Sequence, residues 1–268
     1  MKILLVGGGV VGTATGLGFQ RLGHEITVLD LASDCMSAKA GLRVVTEINF
    51  KTEYPSPDIV KLPESWDIVL FCVPEKVIDD AVLPLAPIGE SVPFYIRSSV
   101  PPGTCARLQK EFGRHFGHNP EFLREAVAEY EFMNPPAIIL GDCCGGHGMV
   151  MAELYKPFRV PIHLTTPEVS EFTKLAVNAY LADQISFWNQ VKLLADKLGI
   201  NSHEVGMLAT FGDDRVSTYG ARMHGKPYGG KCLPKDLEQL LNLCKKFSVK
   251  APLFNAVKEI NELFMRGG

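Results

Sequence analysis

Lys2-Ile3-Leu4-Leu5-Val6-Gly7-Gly8-Gly9-Val10-Val11-Gly12 sets the reading of this sequence: an apolar strand, a glycine turn and the start of a helix follow one another without a break. The glycines permit a tight turn, close approach of backbone to a pyrophosphate, and packing of the helix against the strand, with the helix N-terminus facing the phosphates. Asp30 lies eighteen positions after Gly12, at the end of the next apolar run, Glu25 to Leu29. A carboxylate there accepts hydrogen bonds from a ribose diol and repels a 2′-phosphate. Strand, helix and acid in register point to a dinucleotide, NAD rather than NADP. The bland alternative, a glycine-rich turn followed by a solvated acid, leaves that register unexplained. The fingerprint does not separate nicotinamide from flavin, but a chain of 268 residues leaves little to cover an isoalloxazine, so nicotinamide is preferred.

Outward from this motif, the composition is that of an ordinary globular protein, with 46% hydrophobic and 21% charged residues. The 27 basic and 30 acidic side chains leave a net charge of -3, with no basic field to gather a nucleic-acid backbone. No apolar run approaches the roughly 18 to 20 residues of a membrane span. Met1-Lys2 before Ile3 to Val6 imitates a signal peptide, but five glycines between Gly7 and Gly16 interrupt the apolar stretch. A cytoplasmic protein with a small-molecule partner is expected. Seven cysteines, odd in number and without a CxxC pair, are expected as reduced thiols.

The apolar runs Lys2 to Val6, Glu25 to Leu29, Asp67 to Val73, Val92 to Ile96 and Ala137 to Leu140 read as buried parallel strands. Helical stretches at Val11 to Leu22, Lys76 to Leu83, Thr104 to Phe116 and Gly148 to Tyr155 alternate with them, which predicts an α/β doubly wound sheet. Strand signals then stop. A long helix opens with Thr166 as cap, Pro167 in the first turn and Glu168, and ends before Gly199. Shorter helices follow at Ser202 to Ala209, Lys235 to Phe247 and Pro252 to Met265. The expected domains are therefore 1–165, binding the dinucleotide, and 166–268, all-helical.

Polar groups concentrate in four further segments: Ser98-Ser99-Val100-Pro101-Pro102-Gly103-Thr104, Asn119-Pro120-Glu121-Phe122-Leu123-Arg124-Glu125, Lys174 with Asn178, and Tyr228 to Asp236. In the last, Pro234 suits a first helical turn. Cys232 then sits at the helix N-terminus, where the dipole with Lys231 and Lys235 favours a thiolate, and Asp236 shares its face at i+4. The competing reading of Cys232 is an inert buried thiol. Lys174 and Asn178 project from one helix face, as an oxyanion site requires, or as any solvated face does. Glu121 and Glu125 repeat the i,i+4 spacing, as paired acids or as caps. Cys143-Cys144-Gly145-Gly146-His147 and His115 with His118 are rich in ligand types, but adjacent cysteines do not match C-x₂₋₄-C and no second pair follows, so no metal is expected.

These segments carry a specific resemblance. GGGVVG, SSVPPGT, NPEFLREA, EFTKLAVNAYLADQISFWNQ and YGGKCLPKD, in this order and over essentially the whole chain, resemble the UDP-glucose/GDP-mannose dehydrogenase family of nucleotide-sugar dehydrogenases. The resemblance implies an N-terminal Rossmann domain, a helical domain of the 6-phosphogluconate dehydrogenase type, and four-electron NAD-dependent oxidation of a sugar primary alcohol to a carboxylate. It implies Cys232 as covalent nucleophile, Asp236 as the aid to hydrolysis, Lys174 and Asn178 at the oxyanion, and Ser99 with Glu121 at the water. Gly7, Gly9, Val10, Val11, Gly12, Asp30, Val73, Pro74 and Ser98 would hold the cofactor. Phe122, Leu123, Arg124 and Glu125, with Tyr228, Gly229 and Gly230, would hold the substrate. The long helix from Thr166, apolar all round through Phe172, Leu175, Val177, Leu181, Ile185, Phe187 and Trp188, is the expected homodimer core.

The sequence departs from the family pattern in three places. Serine stands at position 99 where threonine is common, Val73-Pro74-Glu75-Lys76 replaces VPTP, and the region from Met36 to Trp66 is short. It ends at Phe264-Met265-Arg266-Gly267-Gly268, so the family's second Rossmann-like domain is expected to be lacking, with a change of substrate as one consequence. Two rivals remain: a two-electron hydroxyacid-type dehydrogenase, which needs no thiol, and a non-catalytic relative.

Overall fold

The structure, a computed structural model, describes residues 1–46, 66–85, 87–213, 215–230 and 232–267. Most of the Met36 to Trp66 region lies outside the described residues, as does Lys231. Two compact units are present, Met1–Lys174 and Leu175–Gly268. The division falls within the long helix whose start the sequence places at residue 166.

The first unit alternates β1 (Lys2–Val6), α1 (Val10–Arg21), β2 (Glu25–Leu29), α2 (Met36–Lys39), β3 (Arg43–Val45), β4 (Ile68–Phe71), α3 (Ile78–Val82), β5 (Phe94–Ile96), α4 (Thr104–Phe112), β6 (Phe116–His118), α5 (Ala128–Met133), β7 (Ile138–Gly141), α6 (Gly146–Tyr155) and β8 (Ile162–Thr165). The sheet order is β3-β2-β1-β4-β5-β6-β7-β8. The described pairings are parallel except that of β6 with β7, which meet through His118 and Gly141. Strand order reverses between β1 and β4, which opens a crevice at their carboxyl ends.

Alternation of side chains explains why these strands read as continuous apolar runs. Ile3 and Leu5 enter one core with Phe19 of α1, Phe132 of α5 and Met151 of α6, while Leu4 and Val6 enter the opposite core with Val82 of α3 and Leu108 of α4. Both faces are buried, as parallel sheets require. At the turn after β1, Gly7 has φ +104 and an added Cβ would lie 2.8 Å from the Cys72 carbonyl oxygen. A Cβ on Gly12 would strike the Gly7 carbonyl, so α1 leaves the strand in contact with its own turn.

Three elements depart from the sequence expectation. The helix over Thr104 to Phe116 stops at Phe112, because Gly113 takes a left-handed φ of 66, and Phe116 begins β6 instead. Strands do not stop after Leu140: β8 follows, an edge strand in which Leu164 is exposed, so its apolar signal is weak. The three-residue β3 is too short to display a period.

α7 (Pro167–Leu198) continues from the first unit into the second, where α8 (Ser202–Ala209), α9 (Thr218–Met223), α10 (Cys232–Lys246) and α11 (Pro252–Met265) follow. Thr166 accepts from the Val169 N–H at 3.4 Å, as its cap reading requires, and Gly199 at φ +69 marks the end. Leu175, Ala179, Ala182 and Ile185 of α7 pack with Tyr228, Leu237, Leu240 and Val257. Asn189 clamps the following loop, donating to the Lys226 carbonyl at 3.0 Å and accepting from Gly225 N–H at 2.8 Å.

The glycine geometry makes an asymmetric prediction. Gly12→Ala destabilises the chain by about 1–3 kcal/mol through forced backbone shift, whereas Gly9→Ala, whose Cβ meets open space, costs less than about 1 kcal/mol. Urea unfolding of both variants checks this; equal losses would contradict it.

Candidate active site

The carboxyl ends of β1, β2 and β4 enclose a cleft of about 530 Å³ lined by Val6, Gly7, Leu29, Asp30, Val73 and Pro84, among others. Asp30 is tied to the glycine turn itself: its carboxylate accepts from Gly8 N–H at 2.6 Å and from Ala32 N–H at 2.9 Å. Gly9 is exposed at the N-terminus of α1, with open space where a side chain would stand, and Val10 and Val11 form the first turn behind it. Val73 closes over Gly7, and Pro74 is exposed beyond it. Ser98 donates its hydroxyl to the Val73 carbonyl, while Ser99 is buried beside it. These residues fit a dinucleotide: glycines clear the approach, and an acid stands at the end of β2.

The opening turns of α7 complete the other polar cluster of this unit. Lys174 is buried, donates to the Glu121 carbonyl, lies 3.5 Å from the Glu121 carboxylate and stands 4.9 Å from the centre of the Phe122 ring. Glu121 also accepts from Leu123 N–H at 2.7 Å, so the acid holds its own loop and the ammonium together. Glu171, fully buried, accepts from Gly103 N–H at 2.6 Å and Cys105 N–H at 2.8 Å and so caps α4. Burial raises its pKa. Ser170 bonds the His118 ring at 2.8 Å, and the other ring nitrogen meets the Ser98 carbonyl at 3.2 Å. Burial above all, with Lys174 and Arg97 adding, holds the His118 pKa down to about 4.

The segment 119–124 is not helical, which corrects the i,i+4 pairing expected of Glu121 and Glu125. Asn119 is fixed instead by buried Arg97 and by Tyr155, whose hydroxyl donates to it at 2.6 Å. Glu121 turns to Lys174, and Glu125 is exposed at the start of a short 3₁₀ turn. Arg124 pairs with Glu131 at 2.6 Å, Leu123 packs against the α1-side core, and Phe122 is partly exposed.

In the second unit Asn178 and Asp236 are both buried, and the Asn178 amide donates to the Asp236 carboxylate. Lys235 pairs with the other carboxylate oxygen at 3.0 Å. Cys232 is the first residue of α10, one turn before Asp236 and exposed. The helix thus starts at Cys232 with Pro234 in its first turn, as the reading of Pro234 requires, three residues before the periodic run that opens at Lys235. Tyr228 is buried, its carbonyl accepting from Asn261 at 3.2 Å, and burial pushes its phenol up to about 12. Gly229 and Gly230 are exposed.

Sequence reasoning passed over Arg97, Ser170 and Glu171, and weighed His118 only as a ligand type beside His115. The available signal for Glu171 was an acid set three residues before Lys174 on the same helix.

Residues 168–263 match the profile of the UDP-glucose/GDP-mannose dehydrogenase family, central domain. That match covers α7 from its first turn through most of α11. The chain is 27% identical to the UDP-glucose 6-dehydrogenase YwqF of Bacillus subtilis over 97% of its length and 66% of that relative's. A UDP-glucose dehydrogenase structure from the archaeon Pyrobaculum islandicum matches it with a TM-score of 0.82 at 25% identity, covering 98% of this chain and 68% of that one. The 3-hydroxyisobutyrate dehydrogenase of Mycobacterium tuberculosis shares the fold, with a TM-score of 0.73 at 17% identity over 99% and 93% of the two chains. The chain thus spans about two thirds of the length of the nucleotide-sugar dehydrogenases it matches.

The neutral burial of His118 has a measurable consequence. Its folded pKa of about 4 lies below the ordinary 6.5, so its contribution to stability is full above pH 6.5 and is lost as pH falls towards 4. His118→Gln is expected to flatten that part of the profile of urea midpoint against pH; an unchanged slope would contradict the assignment.

Proposed function

We propose that the chain is an NAD-dependent dehydrogenase that oxidises the primary alcohol of a sugar or nucleotide sugar to a carboxylate through a covalent intermediate on Cys232. The observation that carries the reading is the buried Asn178–Asp236 pair, one helical turn from an exposed thiol at a helix N-terminus. Burying an acid and an amide costs free energy that hydrogen bonding only partly offsets, so their placement one turn from a thiol argues for use. The match of residues 168–263 to the family's central domain, and the similarity to UDP-glucose 6-dehydrogenases, support the same reading.

NAD, when bound, supplies the hydride acceptor, held by the glycine turn, Val10, Val11, Asp30, Val73, Pro74 and Ser98. Glu121 and Ser99 order the water that takes the alcohol proton. Lys174 and Asn178, one turn apart on α7, offer an ammonium and an amide N–H to the developing oxyanion. The Cys232 sulfur adds to the aldehyde carbon, giving a thiohemiacetal whose oxidation leaves a thioester. Water then attacks the thioester carbon, Asp236 receives its proton, and the thiolate departs with the acid released. Phe122 to Glu125 in the first unit and Tyr228 to Gly230 in the second are the segments assigned to substrate binding.

A cytoplasmic setting is part of the proposal; no helix among the described residues is long and apolar enough to cross a membrane, and none of the described cysteines forms a disulfide. α7 divides its apolar residues between two faces. Leu175, Ile185 and Trp188 are buried, while Val169, Phe172, Tyr180, Phe187, Leu194 and Leu198 form an exposed stripe. That stripe is the proposed homodimer surface.

Two NADH are expected per acid formed. Cys232→Ala should stop after one NADH and release aldehyde, and Lys174→Ala should lower kcat by about 10²–10³-fold. One NADH per turnover, with Cys232 dispensable, would instead support a two-electron hydroxyacid dehydrogenase. For the surface, Phe187→Glu should convert a dimer to a monomer in sedimentation velocity; a wild-type monomer would remove the proposal.

A further inference from the structure

The antiparallel junction of the sheet brings together side chains that no part of the oxidation uses. His118 of β6 pairs with Gly141 of β7. Three residues back along one strand and three forward along the other lead to His115 and Cys144. The ligand atoms of His115, Cys143 and Cys144 all lie within 4.8 Å of one another. The Cys143 sulfur is 3.4 Å from the His115 Nδ1. Zinc bonds of about 2.3 Å to sulfur and 2.0 Å to nitrogen, at the tetrahedral angle, hold the two ligand atoms about 3.5 Å apart. The observed spacing is that of two ligands on one ion. His147, in the first turn of α6, turns its ring edge-on to His115 with centroids 5.5 Å apart.

The surrounding loop is built to present this group. Asp142 accepts from Gly145 N–H at 2.5 Å and from the Tyr95 hydroxyl at 3.1 Å, and the Cys144 thiol points to the same carboxylate at 3.9 Å. A Cβ on Gly148 would stand 2.7 Å from Asp142, so the loop is packed tightly onto α6. The neighbouring Arg114 is engaged elsewhere, donating to the carbonyls of Ile88, Gly89 and Val92. Both thiols are free. Joining them to each other is unfavourable, because adjacent Cα atoms lie about 3.8 Å apart, below the roughly 4.4 Å lower limit of ordinary disulfides. Cys144 and His115 are exposed, which leaves an entry path.

We propose that Cys143, Cys144, His115 and His147 bind one zinc ion, clipping the start of β6 to the loop between β7 and α6. The spacing rule that argues against zinc in the sequence concerns ligands supplied by one short segment; here antiparallel pairing supplies a ligand from a distant one. Binding converts both thiols to thiolates and releases two protons to solvent, with no redox change. None of the four residues has a role in the proposed oxidation.

The test is titration of the full-length chain, stripped with chelator and kept reduced, with Zn²⁺ alone and then with Co²⁺ as a spectroscopic stand-in. One equivalent is expected to bind and to raise the thermal midpoint, and Co²⁺ should give thiolate charge-transfer absorption with the strong visible bands of a tetrahedral site. The double variant C143S/C144S should bind more than about 100-fold more weakly, and H115A more than about tenfold, with unchanged far-UV circular dichroism. Cys244→Ser should bind as wild type. Failure to bind Zn²⁺, equal binding by the double variant, or octahedral Co²⁺ spectra would each overturn the proposal.

Discussion

Lys174 and Asn178 are one turn apart on a single helix, both are buried, and each is held by an acid from elsewhere in the chain. Glu121 comes from the loop after β6 and Asp236 from the first turns of α10, so the same few residues of α7 fix two otherwise unrelated segments. An ammonium out of water is tolerated only where an acid and a carbonyl meet it, and Glu121 provides both. Ser170 and Glu171, just before it, bind His118 and the start of α4. The opening of α7 is therefore a polar spine set among apolar cores, and the loops bearing the proposed catalytic groups are anchored to it.

The crevice proposed for the cofactor depends on a different constraint, the absence of side chains. Gly7 and Gly12 permit α1 to leave β1 at close range, and Asp30 then bonds the turn that they create. Reversal of strand order between β1 and β4 leaves the carboxyl end of the sheet open above this turn. The turn and the residues Ser170 to Lys174 belong to one unit, whereas Asn178, Asp236 and the thiol belong to the other.

Legibility in the sequence followed length and continuity of pattern. β1, β2, α1 and the full run of α7 were readable because an apolar run, a cap or a bordering glycine marked each. β3 and β6 were not, since three residues display no period, and β8 was hidden by its exposed edge. Cys232 and Asp236 were readable at i,i+4 with Pro234 between them. Glu121 was given the wrong partner: it pairs with Lys174, fifty-three residues on, not with Glu125. His118 and Glu171 were invisible as site residues because their roles arise from tertiary contacts. His115, Cys143 and Cys144 were legible as ligand types but were set aside on spacing, since strand pairing, not local spacing, brings them together.

The covalent step is the claim on which the proposed activity rests, and trapping it is the direct test. Asp236→Asn, slowed in the hydrolysis assigned to Asp236, would be mixed with NAD and a nucleotide-sugar substrate, quenched in acid and measured by intact-protein and peptide mass spectrometry. The account predicts an acyl adduct of the substrate's mass on the peptide containing Cys232. Accumulation of product with Cys232 unmodified throughout turnover would contradict it.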